Sequence, residues 1–170
     1  MNAYYGDITK RSRKLIRMYG TRDPFAIAKE LGVEVIFAEG LNRLKGMYRV
    51  IKRNRFIILN SSNSEAMNTI VCAHELGHDQ LHREFAKSSP IQEFMLYDMA
   101  SRQEYEANIF AADLLLDDSE MIDYIEKGYD SLKIARATKT DINLVALKVD
   151  CLIRNGHTLN KQEHNNKFLK

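Results

Sequence analysis

The spacing of apolar residues predicts two helices in the amino-terminal part of the chain. In residues 7–19, apolar side chains recur at helical spacing among basic ones, which is typical of an amphipathic surface helix. In residues 22–32, Asp23 can cap a second helix, Pro24 suits its first position and Gly32 can end it. We therefore expect the fold to begin with a pair of α-helices.

A strand pattern follows these helices. The runs VEVIFAEG, GMYRVIK and RFIILN are rich in β-branched and aromatic residues, and the polar segment KRNR between the last two suits a hairpin connection. We expect a small antiparallel sheet. RFIILN is either an ordinary core strand or an edge strand to which an extended substrate peptide adds.

Helices dominate the rest of the chain. The polar segment NSSNSE offers Ser62, Asn63 or Ser64 as the cap of a helix that runs to about Phe85. The pattern breaks at residues 88–90. Beyond the break, apolar spacing predicts one buried helix and then three shorter ones, over residues 103–116, 119–127, 130–137 and 141–154.

Composition restricts the class of protein and of partner. With 170 residues, 45% of them hydrophobic and 28% charged, the chain is sized for one compact domain. A net charge of +2 is too small to attract a polyanion over the whole surface, so direct nucleic-acid binding is not expected. No apolar run reaches the roughly 18 residues of a membrane span, and no secretion signal is evident, so we expect a cytoplasmic protein without membrane contact. The two cysteines are too few for a disulfide framework.

The segment AHELGHDQLH, residues 73–82, is the strongest candidate for chemistry. His74 and His78 are four residues apart, so on a helix they present two imidazoles on one face, as two ligands of one zinc ion require. Glu75 can lean toward a water molecule at such a centre and act as its general base, while zinc polarises a peptide carbonyl. The pattern is HExxH, which is typical of zinc proteases.

The alternative is a purely structural helix whose histidines make hydrogen bonds in the core. The flanking segments are apolar, however, so the helix is expected to be buried, and buried imidazoles beside a carboxylate need a partner that offsets their desolvation. A metal ion supplies one. Gly77 costs a helix interior about 1 kcal/mol relative to Ala, which predicts that another element approaches closely at this position.

A hydrolytic zinc centre needs a third protein ligand. His82 would lie about 12 Å along the helix axis from His74, too far for one tetrahedral centre, so we assign it to the helix end or to the support of a ligand. The buried helix after the break offers two polar pairs, each on one face: Glu104 with Asn108, and Glu106 with Asp113. One pair could face inward and the other solvent, and spacing alone leaves the third ligand open between Glu104 and Glu106.

HELGHDQLH followed about thirty residues later by EYEANIFAADLLL resembles the ImmA/IrrE family of zinc-dependent metallopeptidases, in a compact form similar to the ImmA type of mobile elements. The resemblance covers residues 5–116 and is tightest over 73–116. It implies that Glu104 is the third zinc ligand, beside His74 and His78, that Glu75 is the catalytic base, and that Asn108 orients Glu104. The family commonly has a proline after the leucines; here Asp117 is expected to cap the next helix instead.

The resemblance also implies a fold and a substrate. We expect an α+β fold: a mostly helical zincin-like domain with a small antiparallel sheet and a buried HExxH helix. Residues 1–116 would form the metallopeptidase core, 117–155 would complete the same domain or dock the substrate, and 156–170 would be a disordered tail. The implied activity is zinc-dependent, site-specific cleavage of a helix-turn-helix repressor of the Cro/CI type in a bacterium, which relieves repression of a mobile element, a phage or stress genes.

Two other functions are consistent with the sequence. Residues 131–152 resemble two helices joined by a turn, with basic side chains placed to meet phosphate, as in a DNA-binding transcriptional regulator: Lys133, Arg136, Lys139 and Lys148. The second alternative is an antirepressor that binds the repressor without cutting it. The donor for a developing oxyanion is open among Tyr97, His82 and others, and the oligomeric state is open as well.

Overall fold

The computed structural model describes residues 2–88, 91–93 and 101–159, and the side chains within 6–86 and 101–159. Its elements in chain order are α1 (Asn2–Tyr19), α2 (Pro24–Glu30), β1 (Val33–Ala38), β2 (Gly46–Ile51), β3 (Asn54–Asn60), α3 (Glu65–Leu81), α4 (Arg83–Ser88), β4 (Ile91–Glu93), α5 (Arg102–Leu115), α6 (Asp118–Glu126), α7 (Ser131–Thr138) and α8 (Ile142–Arg154). The predicted α+β class is confirmed.

The two amino-terminal helices form as predicted. Asp23 caps α2, because its side chain accepts a hydrogen bond from the backbone N–H of Phe25 at 2.9 Å. Pro24 is the first residue of α2, and Gly32 leaves the helix with a positive φ of 69°. Ile8 and Leu15 on α1 are buried, so α1 turns its apolar face to the core.

The sheet is mixed rather than purely antiparallel. Its strand order is β1-β3-β2-β4. The predicted hairpin between β2 and β3 is antiparallel, with Lys52 and Arg53 at positive φ in its turn, but β1 pairs with β3 in parallel. The sequence expectation was wrong for β1 because the connection over residues 39–45 leaves one strand position between β1 and β2, and β3 fills it.

This order also corrects the role considered for RFIILN. β3 has a hydrogen-bonded neighbour on each side, so it is a central strand and offers no free edge to a peptide. Ile57 and Leu59 are completely buried. RFIILN is therefore the ordinary core strand of the two alternatives, and the edges of the sheet in the described residues are β1 and β4.

Helix α3 is the central element of the fold. Ser64 caps it, and every residue from Ile70 to Asp79 is buried, so the expectation of a buried HExxH helix is confirmed. The helix ends earlier than predicted. His82 departs from helical geometry at φ −127° and forms the C-cap, and α4 begins at the next residue.

Helices α3 and α5 pack together with little space between them. A Cβ on Gly77 would lie 3.1 Å from Cα and 3.2 Å from the carbonyl oxygen of Ala107, closer than almost all real Cβ contacts. The predicted close approach at Gly77 is confirmed, and the element that approaches is α5.

The carboxy-terminal helices pack onto this core through α8, which lies against α5. Asp117 caps α6 as expected, accepting hydrogen bonds from the backbone N–H groups of Ser119 and Glu120. Residues 160–170 of the tail expected to be disordered lie outside the described residues. Of the helices described, none combines the length and the apolar character that a bilayer crossing requires.

Candidate metal centre

Three side chains from two helices meet at one point between α3 and α5. Nε2 of His74 lies 3.0 Å from Nε2 of His78 and 3.1 Å from Oε2 of Glu104. Nε2 of His78 lies 3.4 Å from Oε1 of the same carboxylate. Both imidazoles are fully buried and the carboxylate is mostly so. The structure thus brings together the two histidines of the HExxH pattern and the first of the two glutamates that the sequence left open.

The spacing of these atoms fits a zinc ion. Ligands at about 2.0–2.1 Å from a tetrahedral zinc are separated from one another by roughly 3.3 Å. The two nitrogens are 3.0 Å apart, and the carboxylate lies 3.1 Å from His74 through Oε2 and 3.4 Å from His78 through Oε1, all close to that value. Two imidazole nitrogens and one carboxylate oxygen are also the donor set of many hydrolytic zinc sites, which keep a fourth position open.

Local structure explains how Glu104 reaches the histidines. Ser101 caps α5 by accepting a hydrogen bond from the backbone N–H of Glu104, which fixes the first turn of the helix at this level. The absence of a side chain on Gly77 lets α5 approach α3 one residue before His78. The cap and the glycine therefore help to bring together Glu104 and His74, which are 30 residues apart in the sequence.

Asn108 contacts His74 rather than Glu104. Oδ1 of Asn108 lies 2.9 Å from Nδ1 of His74, an arrangement that favours a proton on Nδ1 and a free lone pair on Nε2. The resemblance implied that Asn108 orients Glu104. In the structure the residue that Asn108 contacts is His74 instead. Nδ2 of Asn108 is buried and has no hydrogen-bond partner in the described part of the chain.

His82 and Glu106 lie behind His78, away from the three converging atoms. Nδ1 of His82 is 3.0 Å from Nδ1 of His78, and Nε2 of His82 is 2.7 Å from Oε2 of Glu106. Glu106 therefore does not reach the cluster as the alternative third ligand, and His82 supports a neighbouring histidine from the end of α3.

The polar residues of α5 do not divide into one inward and one outward pair. Asp113 is buried against Lys148, and Glu106 is largely covered by His82. The interpretation with one pair facing solvent was wrong, because α5 is enclosed by α1, α3 and α8 on different sides.

Burial and neighbouring groups keep the imidazoles of His78 and His82 neutral. Burial is the main reason why the pKa of His78 falls to about 4 and that of His82 also falls to about 4, and each is lowered further by a neighbouring histidine. Burial opposes ionisation of Glu104, but its close contacts with His74 and His78 outweigh it and hold the pKa of this carboxyl well below its usual range. Neutral imidazoles and an ionised carboxylate are the forms that bind a divalent cation.

Glu75 lies on the side of α3 that faces the sheet. Its side chain is completely buried, and its Oε1 is 3.4 Å from the position of a Cβ on Gly46, the first residue of β2. The same Cβ would lie 2.5 Å from Cγ1 of Val71, so only glycine lets β2 pass at this distance. Sequence reasoning did not single out Gly46; a glycine that opens an apolar strand was the available signal.

A second polar cluster anchors α3 to the sheet directly after His78. Asp79 is buried and accepts hydrogen bonds from the hydroxyl of Tyr48 at 2.7 Å and from Nη1 of Arg55 at 3.0 Å. Arg55 also donates to the carbonyl oxygen of Leu31. Sequence reasoning did not predict this cluster. It fixes the position of α3 relative to β2 and β3.

Two other candidates from the sequence have different outcomes. Lys148, considered as a phosphate contact, is buried and lies 2.6 Å from Asp113 and 2.5 Å from Asp118, so it is not available to a nucleic acid. Tyr97, one of the candidate oxyanion donors, lies outside the described residues.

Comparison with known proteins places these residues in a wider group. Residues 28–149 match the family described as IrrE N-terminal-like domain, Peptidase M78. The Uncharacterized immunity region protein 2 of Bacillus phage phi105 is 38% identical over 136 residues, which are 80% of this chain and 85% of that protein. The family match begins within α2 and ends within α8, so it includes the whole candidate centre.

Proposed function

Since the chain belongs to the Peptidase M78 family of IrrE N-terminal-like domains, we propose that it is a zinc-dependent metalloendopeptidase. His74, His78 and Glu104 are the zinc ligands in this proposal, and Glu75 is the general base. The observation that carries it is the convergence of two buried imidazole nitrogens and one carboxylate oxygen, from two helices, at separations suited to a single zinc ion.

Each residue has a defined task. A bound zinc ion would supply Lewis acidity, which makes water more acidic and a peptide carbonyl more electrophilic. Glu75 takes a proton from the attacking water and delivers it to the departing amine. Asn108 holds the ring of His74 through Nδ1, so that the lone pair of Nε2 points at Glu104 and His78.

We propose a helix-turn-helix repressor of the Cro/CI type as the substrate. The support is the family, together with the phage relative, whose name places it in an immunity region. Cleavage would relieve repression of a mobile element or phage.

The test uses a small helix-turn-helix repressor of the Cro/CI type, sought among the products of the genes that neighbour this one. The zinc-loaded protein is incubated with that repressor, with and without a chelator, and the intact masses of all products are recorded. We expect two fragments whose masses add to that of the repressor plus one water, and none when the chelator is present or when Glu75→Gln replaces the native protein. Zinc content of the Glu75→Gln variant should remain unchanged.

The same experiment tests the other functions. If repressor–DNA complexes dissociate and no fragment appears, the protein is an antirepressor that acts by binding alone. DNA binding by the protein itself is the weaker candidate. Of the four basic side chains considered as phosphate contacts, Lys148 forms a buried ion pair with Asp113. A gel-shift assay with operator DNA and no repressor tests it directly.

A further inference from the structure

Four side chains form a continuous line of hydrogen bonds that leads from the candidate metal centre to the surface. His78 contacts His82 through the two Nδ1 atoms at 3.0 Å, His82 contacts Glu106 at 2.7 Å, and Nε of Arg102 donates to the other oxygen of Glu106 at 2.8 Å. His82 is only 3% exposed and Glu106 14%, whereas Arg102 is 75% exposed. The line therefore reaches a largely exposed arginine on the first turn of α5.

The chemistry of this line fixes where the protons are. A carboxylate is only an acceptor, so Nε2 of His82 carries a proton and donates it to Glu106. A neutral imidazole then has a lone pair on Nδ1, and His82 accepts a hydrogen bond there from Nδ1–H of His78. His78 consequently presents the lone pair of Nε2 toward His74 and Glu104, which is the form a metal ligand needs.

From this geometry we infer that His82 and Glu106 are a positioning pair for the metal centre. They hold the ring of His78 in one tautomer and one orientation, and so strengthen zinc binding without contacting the ion. This inference rests on the proposed zinc function of His74, His78 and Glu104. His82 and Glu106 act through His78, whereas Asn108 acts on His74.

The position of His82 in the chain supports this role. As the C-cap of α3, it leaves helical geometry immediately after the last turn, while its backbone N–H still donates to the carbonyl of His78 at 2.8 Å. Backbone and side chain of His82 thus both bind His78. Glu106 comes from α5, the helix that also supplies Glu104, so docking of α5 brings the third ligand and one member of the positioning pair into place together.

The test measures metal binding rather than cleavage. His82→Leu removes the acceptor for Nδ1–H, whereas His82→Asn keeps an oxygen acceptor near the same place, and His157→Leu is a matched control at an exposed histidine. Zinc affinity is measured by competition with a chromophoric chelator, and the visible absorption of the cobalt-substituted protein reports the ligand geometry. Circular dichroism of each metal-free variant reports folding.

We expect His82→Leu to weaken zinc binding by about 10- to 100-fold and to change the cobalt spectrum. His82→Asn should return the affinity to within about threefold of the native protein, and His157→Leu should have no effect. Glu106→Leu, which leaves His82 in place, should weaken zinc binding in the same direction, and it decides the matter if His82→Leu does not fold.

Unchanged zinc affinity and an unchanged cobalt spectrum in folded His82→Leu, or in Glu106→Leu if that variant is the folded one, would overturn the inference. Failure of the proposed function has a different signature: the native protein itself would not bind zinc, or would bind it without producing fragments of the repressor. A pair that only fills space would lower stability equally in His82→Leu and His82→Asn and leave the cobalt spectrum of both unchanged, which also counts against the inference.

Discussion

Gly77 and Ala107 lie at a close contact between the two ligand-bearing helices. A side-chain carbon on Gly77 would be 3.1 Å from Cα of Ala107 and 3.3 Å from Cβ of Phe110. His78 follows Gly77, and Glu104 is three residues before Ala107 and so nearly one turn away from it. The separation of the two helices at this contact therefore sets the separation of the ligands.

Replacement of Gly77 by Ala should destabilise the protein. Alanine favours a helix interior by about 1 kcal/mol, but the added methyl group meets the backbone of α5, and such overpacking costs about 1–3 kcal/mol. We expect a net loss of stability in urea unfolding, together with weaker zinc binding. Gly6→Ala on α1 is the control, because nothing lies within 4 Å of its Cβ and the propensity gain should appear alone. Equal gains in both variants would contradict the close packing of α3 and α5.

Replacement of Glu104 should affect metal binding far more than stability of the metal-free protein. Glu104→Gln keeps the size of the side chain but removes the charge that balances a divalent cation. We expect zinc affinity to fall by more than about 100-fold, beyond the range typical of residues that only support a ligand. Isothermal titration with zinc checks this. If Glu104→Gln retained full affinity, the third ligand would have to come from another residue.

The metal-free protein should lose stability as the pH falls from about 6.5 to about 4. The pKa of His78 and that of His82 are each lowered to about 4 in the folded state, mainly by burial, from an ordinary value near 6.5. Between pH 6.5 and 4 these two histidines bind more protons in the unfolded chain than in the folded one, so lowering the pH favours unfolding. The lowered pKa of Glu104 acts with the same sign, at pH values below its ordinary range.

Urea unfolding of the chelator-treated protein at pH 7.0, 5.5 and 4.5 measures this dependence. The unfolding free energy should be nearly constant above pH 7 and decline below it. His82→Asn removes one of the two titrating imidazoles, and its decline should be shallower. A flat profile between pH 7 and 4.5 would show that these histidines titrate normally in the folded state.

Lys148→Met should destabilise the protein by about 3 kcal/mol, because removal of one partner leaves Asp113 buried with its charge only partly compensated. Asp113 retains Arg13, whose Nη2 lies 3.1 Å away, and the hydroxyl of Ser12. Lys133→Met is the control, since Lys133 is exposed and its loss should change stability by less than about 0.5 kcal/mol. Thermal unfolding of both variants, compared with the native protein, separates a buried ion pair from a general effect of lost positive charge.

The sequence predicts the elements well where one local signal determines them. Asp23, Ser64 and Asp117 cap helices at the expected places because a short polar side chain before an apolar helical run can satisfy the free amides of the first turn. The HExxH spacing likewise brings His74 and His78 to one face, because four residues span about one turn.

Contacts between distant segments were the part that sequence reasoning could not supply. Glu104 and Glu106 both lie on a buried helix, and only the rotation of α5 against α3 decides which of them meets the histidines. The pairing of β1 with β3 depends in the same way on the path of a loop, and the contact between Gly46 and Glu75 on how closely β2 crosses α3. Periodicity reports which face of an element is apolar but not which neighbour covers it.

The division of the ligands between two helices has a consequence during synthesis. A nascent chain that has emerged only as far as α4 carries both imidazoles, yet its carboxylate ligand, on α5, has still to leave the ribosome. The complete three-residue centre therefore belongs to the finished fold, and a metal ion could bind all three side chains only after α5 docks. Translation must therefore pass the first turn of α5 before the three side chains of the candidate centre can meet.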